Sequence, residues 1–200
     1  MVIGLTGGIS SGKSVVLETF KNKNFYPIEA DKVAKDLMNT TLFNDIKKNF
    51  NKCIIDNKID YKLLGNIVFN DNNKRLLLNN LVHSEVKKEL KNMITKIKKD
   101  VIIEVPLLYE AHYEDLFDFI IVVYLPKELQ IERLMKRNNL SYDEAIKRID
   151  SQMDLEKKKE LADYCLINDR DIEYIKSQAL GLIGFLRNEE KDGNFNHKRR

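Results

Sequence analysis

Residues 7 to 14 read Gly7-Gly8-Ile9-Ser10-Ser11-Gly12-Lys13-Ser14 and match the pattern G-x-x-x-x-G-K-[ST], directly after the apolar run Val2-Ile3-Gly4-Leu5. The chemistry this spacing supports is anion binding. Its glycines permit a tight turn that points backbone N–H groups inward, so that Gly8, Ile9, Ser10, Ser11, Gly12 and Val15 can donate to phosphate oxygens. Lys13 can reach the outer phosphates of a nucleoside triphosphate such as ATP, and the Ser14 hydroxyl can ligate Mg²⁺. A helix through Ser14-Val15-Val16-Leu17-Glu18-Thr19-Phe20 would aim its positive dipole end at the same anion. A glycine-rich turn without a ligand is the plainer alternative, and one that seldom stands between a strand and an amphipathic helix.

Other residues could complete phosphoryl transfer. Asp31 follows the apolar run Phe25–Ile28, where a carboxylate could orient a hydroxyl nucleophile and take its proton. It could equally be the N-cap of a helix beginning Lys32-Val33-Ala34, or do both jobs. Gln130, Arg133 and Arg137 fall at i, i+3 and i+7 of a helix opened by Pro126, so they share a face that could meet phosphates or simply face solvent. Arg148 is a further candidate for that cluster. Glu104 ends the run Val101–Val105 and could hold Mg²⁺, or pair with a lysine. His83 could touch a substrate phosphate or serve packing alone. Asn57-Lys58-Ile59-Asp60 spells the guanine-reading N-K-x-D, but no D-x-x-G accompanies it, so the match reads as accidental.

These groups must be held by a scaffold. Apolar runs at Val2–Leu5, Phe25–Ile28, Val101–Val105, Phe119–Leu125 and Tyr164–Ile167 alternate with helical patterns. That order argues for an α/β fold of three layers, with a mainly parallel five-stranded sheet covered on both faces. Between residues 32 and 99 the pattern is almost wholly helical, as expected of an insertion placed to hold a second substrate. The region 126–160 reads as a helical lid: a helix from Pro126 to about Asn138, then Ser141 and Glu144 as a capping box. A final helix over about 171–188 should pack on the sheet. The tail Lys191 to Arg200 lacks apolar periodicity and is expected to be disordered. The whole would form one domain, with core segments 1–31, 100–125 and 162–190.

Composition narrows the class. The chain has 200 residues, 43% hydrophobic and 32% charged, with 34 basic and 31 acidic residues and a net charge of +3. That balance does not demand nucleic acid, and Lys198-Arg199-Arg200 is a small basic footprint. No apolar stretch approaches the roughly 20 residues of a membrane span, and the N-terminus enters the first strand without a secretory leader. Cys53 and Cys165 form no C-x-x-C pair and read as reduced thiols of a cytoplasmic protein.

Taken together, these segments resemble the dephospho-coenzyme A kinase family over nearly the whole chain. The likeness rests on Ile3 to Ile9 running into Ser11-Gly12-Lys13-Ser14, Ala30-Asp31 with Val33-Ala34, and Val105-Pro106-Leu107-Leu108-Tyr109-Glu110. It continues through Gln130, Arg133-Leu134, Arg137, Ser141, Ala145, Arg148, Gln152, Ala162-Asp163 and Asn168. The resemblance implies transfer of the ATP γ-phosphoryl to the ribose 3′-hydroxyl of dephospho-coenzyme A. Asp31 would be the catalytic carboxylate, with Lys13 and Arg137 stabilising phosphoryl charge. His83, Leu108 and Arg133 would lie at the acceptor and Asn168 near the nucleotide base. It further implies no nucleic-acid or membrane partner, and a monomer or weak homo-oligomer. The chain departs from the family pattern at Glu29, Ser84, Val15 and Glu104, where Asp, Pro, Thr and Asp are usual. A kinase of another nucleoside or nucleotide, and a nucleotide-binding regulator without catalysis, are the alternative readings.

Overall fold

The computed structural model describes residues 1–191 and divides them into two units. In the first, Met1–Glu29 joins the described residues from Ile97 onward. It contains β1 (Val2–Gly7), α1 (Lys13–Lys21) and β2 (Tyr26–Glu29). The second unit, Ala30–Lys96, contains α2 (Ala30–Asn39), α3 (Phe43–Asn49), β3 (Ile54–Ile55), β4 (Lys58–Ile59), α4 (Tyr61–Asn70) and α5 (Asn72–Lys96). The first unit then resumes with β5 (Val101–Glu104), β6 (Phe119–Tyr124), α6 (Lys127–Asn138), α7 (Tyr142–Ile149), α8 (Leu155–Leu161), β7 (Tyr164–Ile167) and α9 (Ile172–Lys191).

The first unit is built on a parallel sheet of order β2-β5-β1-β6-β7. β1 is buried at every position, as a central parallel strand covered on both faces must be. On one face α1 and α9 cover it, bringing Val16, Phe20, Ile175, Ala179 and Leu182 against Ile3, Leu5, Ile121 and Val123. Phe20 is fully buried and meets Phe25 edge-on at 5.0 Å, a burial worth about 1.5–3 kcal/mol. The sheet order also sets Glu29 beside Glu104 at the carboxyl ends of β2 and β5.

The expected strands and long helices are present, and the capping box of Ser141 and Glu144 is complete in both directions. The Ser141 N–H and hydroxyl hold the Glu144 carboxyl below its usual range. Leu134 and Ala145 bury the seam between α6 and α7.

The second unit corrects the expectation of an almost wholly helical insertion. Ile54–Ile55 and Lys58–Ile59 form a small antiparallel hairpin. Asp56 and Asn57 turn it with positive φ at 48° and 58°, as a two-residue hairpin turn requires. Asp60 then caps α4, accepting from the Lys62 and Leu63 N–H groups. The stretch spelling N-K-x-D is thus a turn, a strand and a helix cap. The expected disordered tail, beyond Lys191 at the end of α9, lies outside the described residues. Among those described, no helix is long and apolar enough to cross a membrane.

Candidate active site

The loop between β1 and α1 turns back on itself by two left-handed residues, Ser10 at φ 58° and Gly12 at φ 93°. Gly12 is needed twice over, because a Cβ there would also lie 2.3 Å from the Asn168 amide nitrogen. The turn closes with the Ser11 N–H on the Gly8 carbonyl at 3.3 Å. Lys13 reaches back over the loop, its Nζ 2.9 Å from the Gly8 carbonyl and 3.3 Å from that of Gly7. The ammonium is therefore folded back over the loop at the start of α1. The buried hydroxyls of Ser10 and Ser11 have no hydrogen-bond partner among the described residues. Buried polar atoms of that kind, beside an ammonium in a glycine-rich turn at a helix start, suit a polyanion.

The loop is braced from β7 and from α6. Asn168, just past β7, donates from Nδ2 to the Ser11 carbonyl at 2.7 Å, and its own carbonyl accepts from Arg133 Nη2 at 3.2 Å. Gln130 is buried, donates to the Leu125 carbonyl at 2.9 Å, and packs so close to Gly8 that a Cβ there would come within 2.3 Å of its Oε1. Of the face expected to meet phosphates, Gln130 thus supports the loop backbone, Arg133 ties α6 to the end of β7, and Arg137 is exposed near the end of α6 with its Nε on Asn138. Ile9, in the loop itself, packs on the apolar seam of α6 and α7.

The remaining candidates divide. Ser14 is exposed at the start of α1, and Glu104 is half-buried at the end of β5. Among the described residues no group of three or more acidic, His or Cys side chains gathers to hold a metal. Such a sparse oxygen set fits Mg²⁺, which is commonly held by one or two protein oxygens, substrate phosphates and water. Leu108, expected at the acceptor, is fully buried, so its side chain fills the core. In the second unit Asp31 is exposed in the first turn of α2, which begins at Ala30; it is inside the helix and not its N-cap. His83 is half-buried midway along α5.

Lys158 was hidden in the sequence by the charged run 156–160. It is wholly buried, with its Nζ 2.8 Å from both Glu110 Oε1 and the Pro106 carbonyl. Its spacing from Leu155 and Leu161 at i−3 and i+3 was the available sign.

The dephospho-CoA kinase family profile matches residues 1–173. The chain belongs to the dephospho-CoA kinase family. A dephospho-CoA kinase of Carboxydothermus hydrogenoformans is 40% identical over 190 residues, covering 91% of this chain and 92% of its own. One from Bacillus licheniformis is 40% identical over 199 residues, covering 96% and 99%. The solved dephospho-CoA kinase of Campylobacter jejuni superposes with a TM-score of 0.70 at 32% identity, over 96% of this chain and 98% of its own. A shikimate kinase of Bacteroides thetaiotaomicron, at 17% identity and a TM-score of 0.55, shares the fold. The chain is therefore a kinase that uses ATP to phosphorylate dephospho-CoA, the last step of coenzyme A biosynthesis.

Proposed function

We propose that transfer to the ribose 3′-hydroxyl of dephospho-CoA is divided among few side chains. The amides from Gly8 to Val15 and the Lys13 ammonium hold the β- and γ-phosphates of ATP and offset charge as the phosphoryl group moves. The observation that carries this is the braced loop, with Lys13 bent over the Gly8 carbonyl at 2.9 Å and two serine hydroxyls left over for an anion. Arg137 adds a guanidinium from α6, where a charge-assisted hydrogen bond to phosphate contributes about 1.5–3 kcal/mol. Arg133 and His83 serve the acceptor, and Asn168 keeps the loop in shape beside the nucleotide. Asp31 accepts the proton of the hydroxyl as the new P–O bond forms; its place two residues past β2, in the first turn of α2, supports that role.

Ser14 and Glu104 are the residues that would hold Mg²⁺, which when bound neutralises phosphate charge and fixes the triphosphate. Both cysteines are free, and burial pushes their thiols up, which keeps them protonated and unreactive.

A coupled assay of ADP release with dephospho-CoA tests the assignment. Asp31→Asn should lose about 100-fold or more in kcat, the usual scale of a lost general base, with the KM for ATP within threefold of wild type. A fully active Asp31→Asn would remove Asp31 from the chemistry.

A further inference from the structure

Lys158 is an ammonium with no exposure at all, on a short helix whose other charged residues, Glu156, Lys157, Lys159 and Glu160, face solvent. It joins three parts of the first unit. Nζ donates at 2.8 Å to the Pro106 carbonyl, just past β5, and lies 2.8 Å from Glu110 Oε1. The Pro106 carbonyl also accepts from the Thr6 hydroxyl at 3.3 Å, and Thr6 is the residue before Gly7 where the phosphate loop begins. Glu110 Oε1 further accepts the Met153 N–H at 2.8 Å. One carboxylate oxygen thus pins both ends of the segment 153–158, through which the chain returns from α7.

That segment touches the loop directly. Leu155 lies so near Gly8 that a Cβ there would meet its Cδ2 at 3.0 Å, and both line a cavity of about 240 Å³ with Gln130 and Lys127. A buried ion pair is a poor device for stability, since apolar side chains of like volume do as well. This one is not even fully satisfied, because Glu110 Oε2 is buried with no hydrogen bond among the described residues. What the charges supply is direction: two short bonds to fixed points.

We infer that Lys158 is a positioning residue for phosphoryl transfer, and that its pairing with Glu110 and Pro106 is the fixed anchor of the segment 153–158, through which the lid returns from α7 to the sheet. The inference rests on reading 126–160 as a lid. Full-length protein is assayed with ATP and dephospho-CoA, and ADP affinity is measured separately by equilibrium dialysis. Lys158→Met should lower kcat at least tenfold while ADP affinity stays within threefold. Lys158→Arg should recover at least fivefold over the Met variant. Lys158→Met combined with Glu110→Met leaves no buried charge; it should regain thermal stability and keep the low kcat.

A folded Met variant, or the double variant, turning over within threefold of wild type overturns the inference. So does failure of both to fold, which would make the pair purely structural. Arg137→Met separates the two readings: a loss there with none at Lys158 leaves the lid standing and removes its anchor, and no loss at either removes both.

Discussion

The Asn168 amide and the Ser11 carbonyl meet at 2.7 Å across 157 residues of chain, so the last strand of the sheet holds the first loop. A carbonyl held from behind fixes the peptide plane between Ser11 and Gly12, and with it the shape of the loop. Asn168→Ala strips the Ser11 carbonyl of a buried donor, which should cost about 1–3 kcal/mol of stability. The looser loop should raise the KM for ATP about tenfold, equivalent to about 1.4 kcal/mol of binding. Steady-state kinetics alongside thermal unfolding checks both, and an unchanged KM would confine Asn168 to stability.

Gly8 and Gln130 form the second brace, and their contact predicts a non-additive pair. Gly8→Ala drives a methyl to within 2.3 Å of Gln130 Oε1 and 3.0 Å of Leu155 Cδ2, so the loop must shift. Activity should fall by about 100-fold, about 2.7 kcal/mol in transition-state terms. Gln130→Ala opens the crowded side, and the double variant should regain at least part of that loss, a coupling of about 0.5–3 kcal/mol in a double-mutant cycle. Strict additivity would show that the close approach does not govern the loop.

How far the sequence could carry the reading depends on the range of the interaction involved. The phosphate loop, the helix opened at Pro126 and the Ser141–Glu144 box are local patterns, and each stands where its spacing puts it. The hairpin at Ile54–Ile59 was missed because its strands are two residues long, too short for any period; only Asp56-Asn57 marked the turn. Leu108 was expected at the acceptor, whereas nothing in its charged run singled out Lys158. A motif leucine proved to be core, and a lysine in a charged run proved to be buried, because exposure is decided by which strands neighbour one another. The same holds for Glu29 beside Glu104, a pairing fixed by the order β2-β5-β1 and invisible in chain order.

Two tyrosines should report on the first unit at high pH. Burial pushes the Tyr113 hydroxyl up to about 12. Tyr124 is also pushed up to about 12, chiefly by its hydrogen bond to Glu156 and then by burial and that carboxylate's charge. Both folded values lie above the ordinary tyrosine value of 10.0. The stability they contribute is therefore complete below pH 10.0 and is lost as pH climbs toward about 12. Urea unfolding midpoints measured across that window should fall, and Tyr124→Phe should flatten part of the fall. Ultraviolet titration should show at least three of the eight tyrosines ionising late, because burial also raises Tyr61 in the second unit; all eight ionising near pH 10.0 would contradict the environments described.

The metal assignment predicts a graded response. Ser14 is exposed at the first turn of α1 and Glu104 stands at the end of β5, and no larger cluster of acids, His or Cys exists among the described residues to replace them. Chelation with EDTA should therefore abolish turnover, and added Mg²⁺ should restore it, since most of the ion's ligands would come from the triphosphate and water. Ser14→Ala and Glu104→Gln should each raise the Mg²⁺ concentration for half-maximal activity by about 5–30-fold, the effect of losing about 1–2 kcal/mol from one oxygen ligand. Saturating Mg²⁺ should recover more of the rate in Ser14→Ala than in Glu104→Gln, because Glu104 contributes charge as well as an oxygen. A Glu104→Gln enzyme with an unaltered Mg²⁺ curve would return Glu104 to a structural part at the end of β5 beside Glu29.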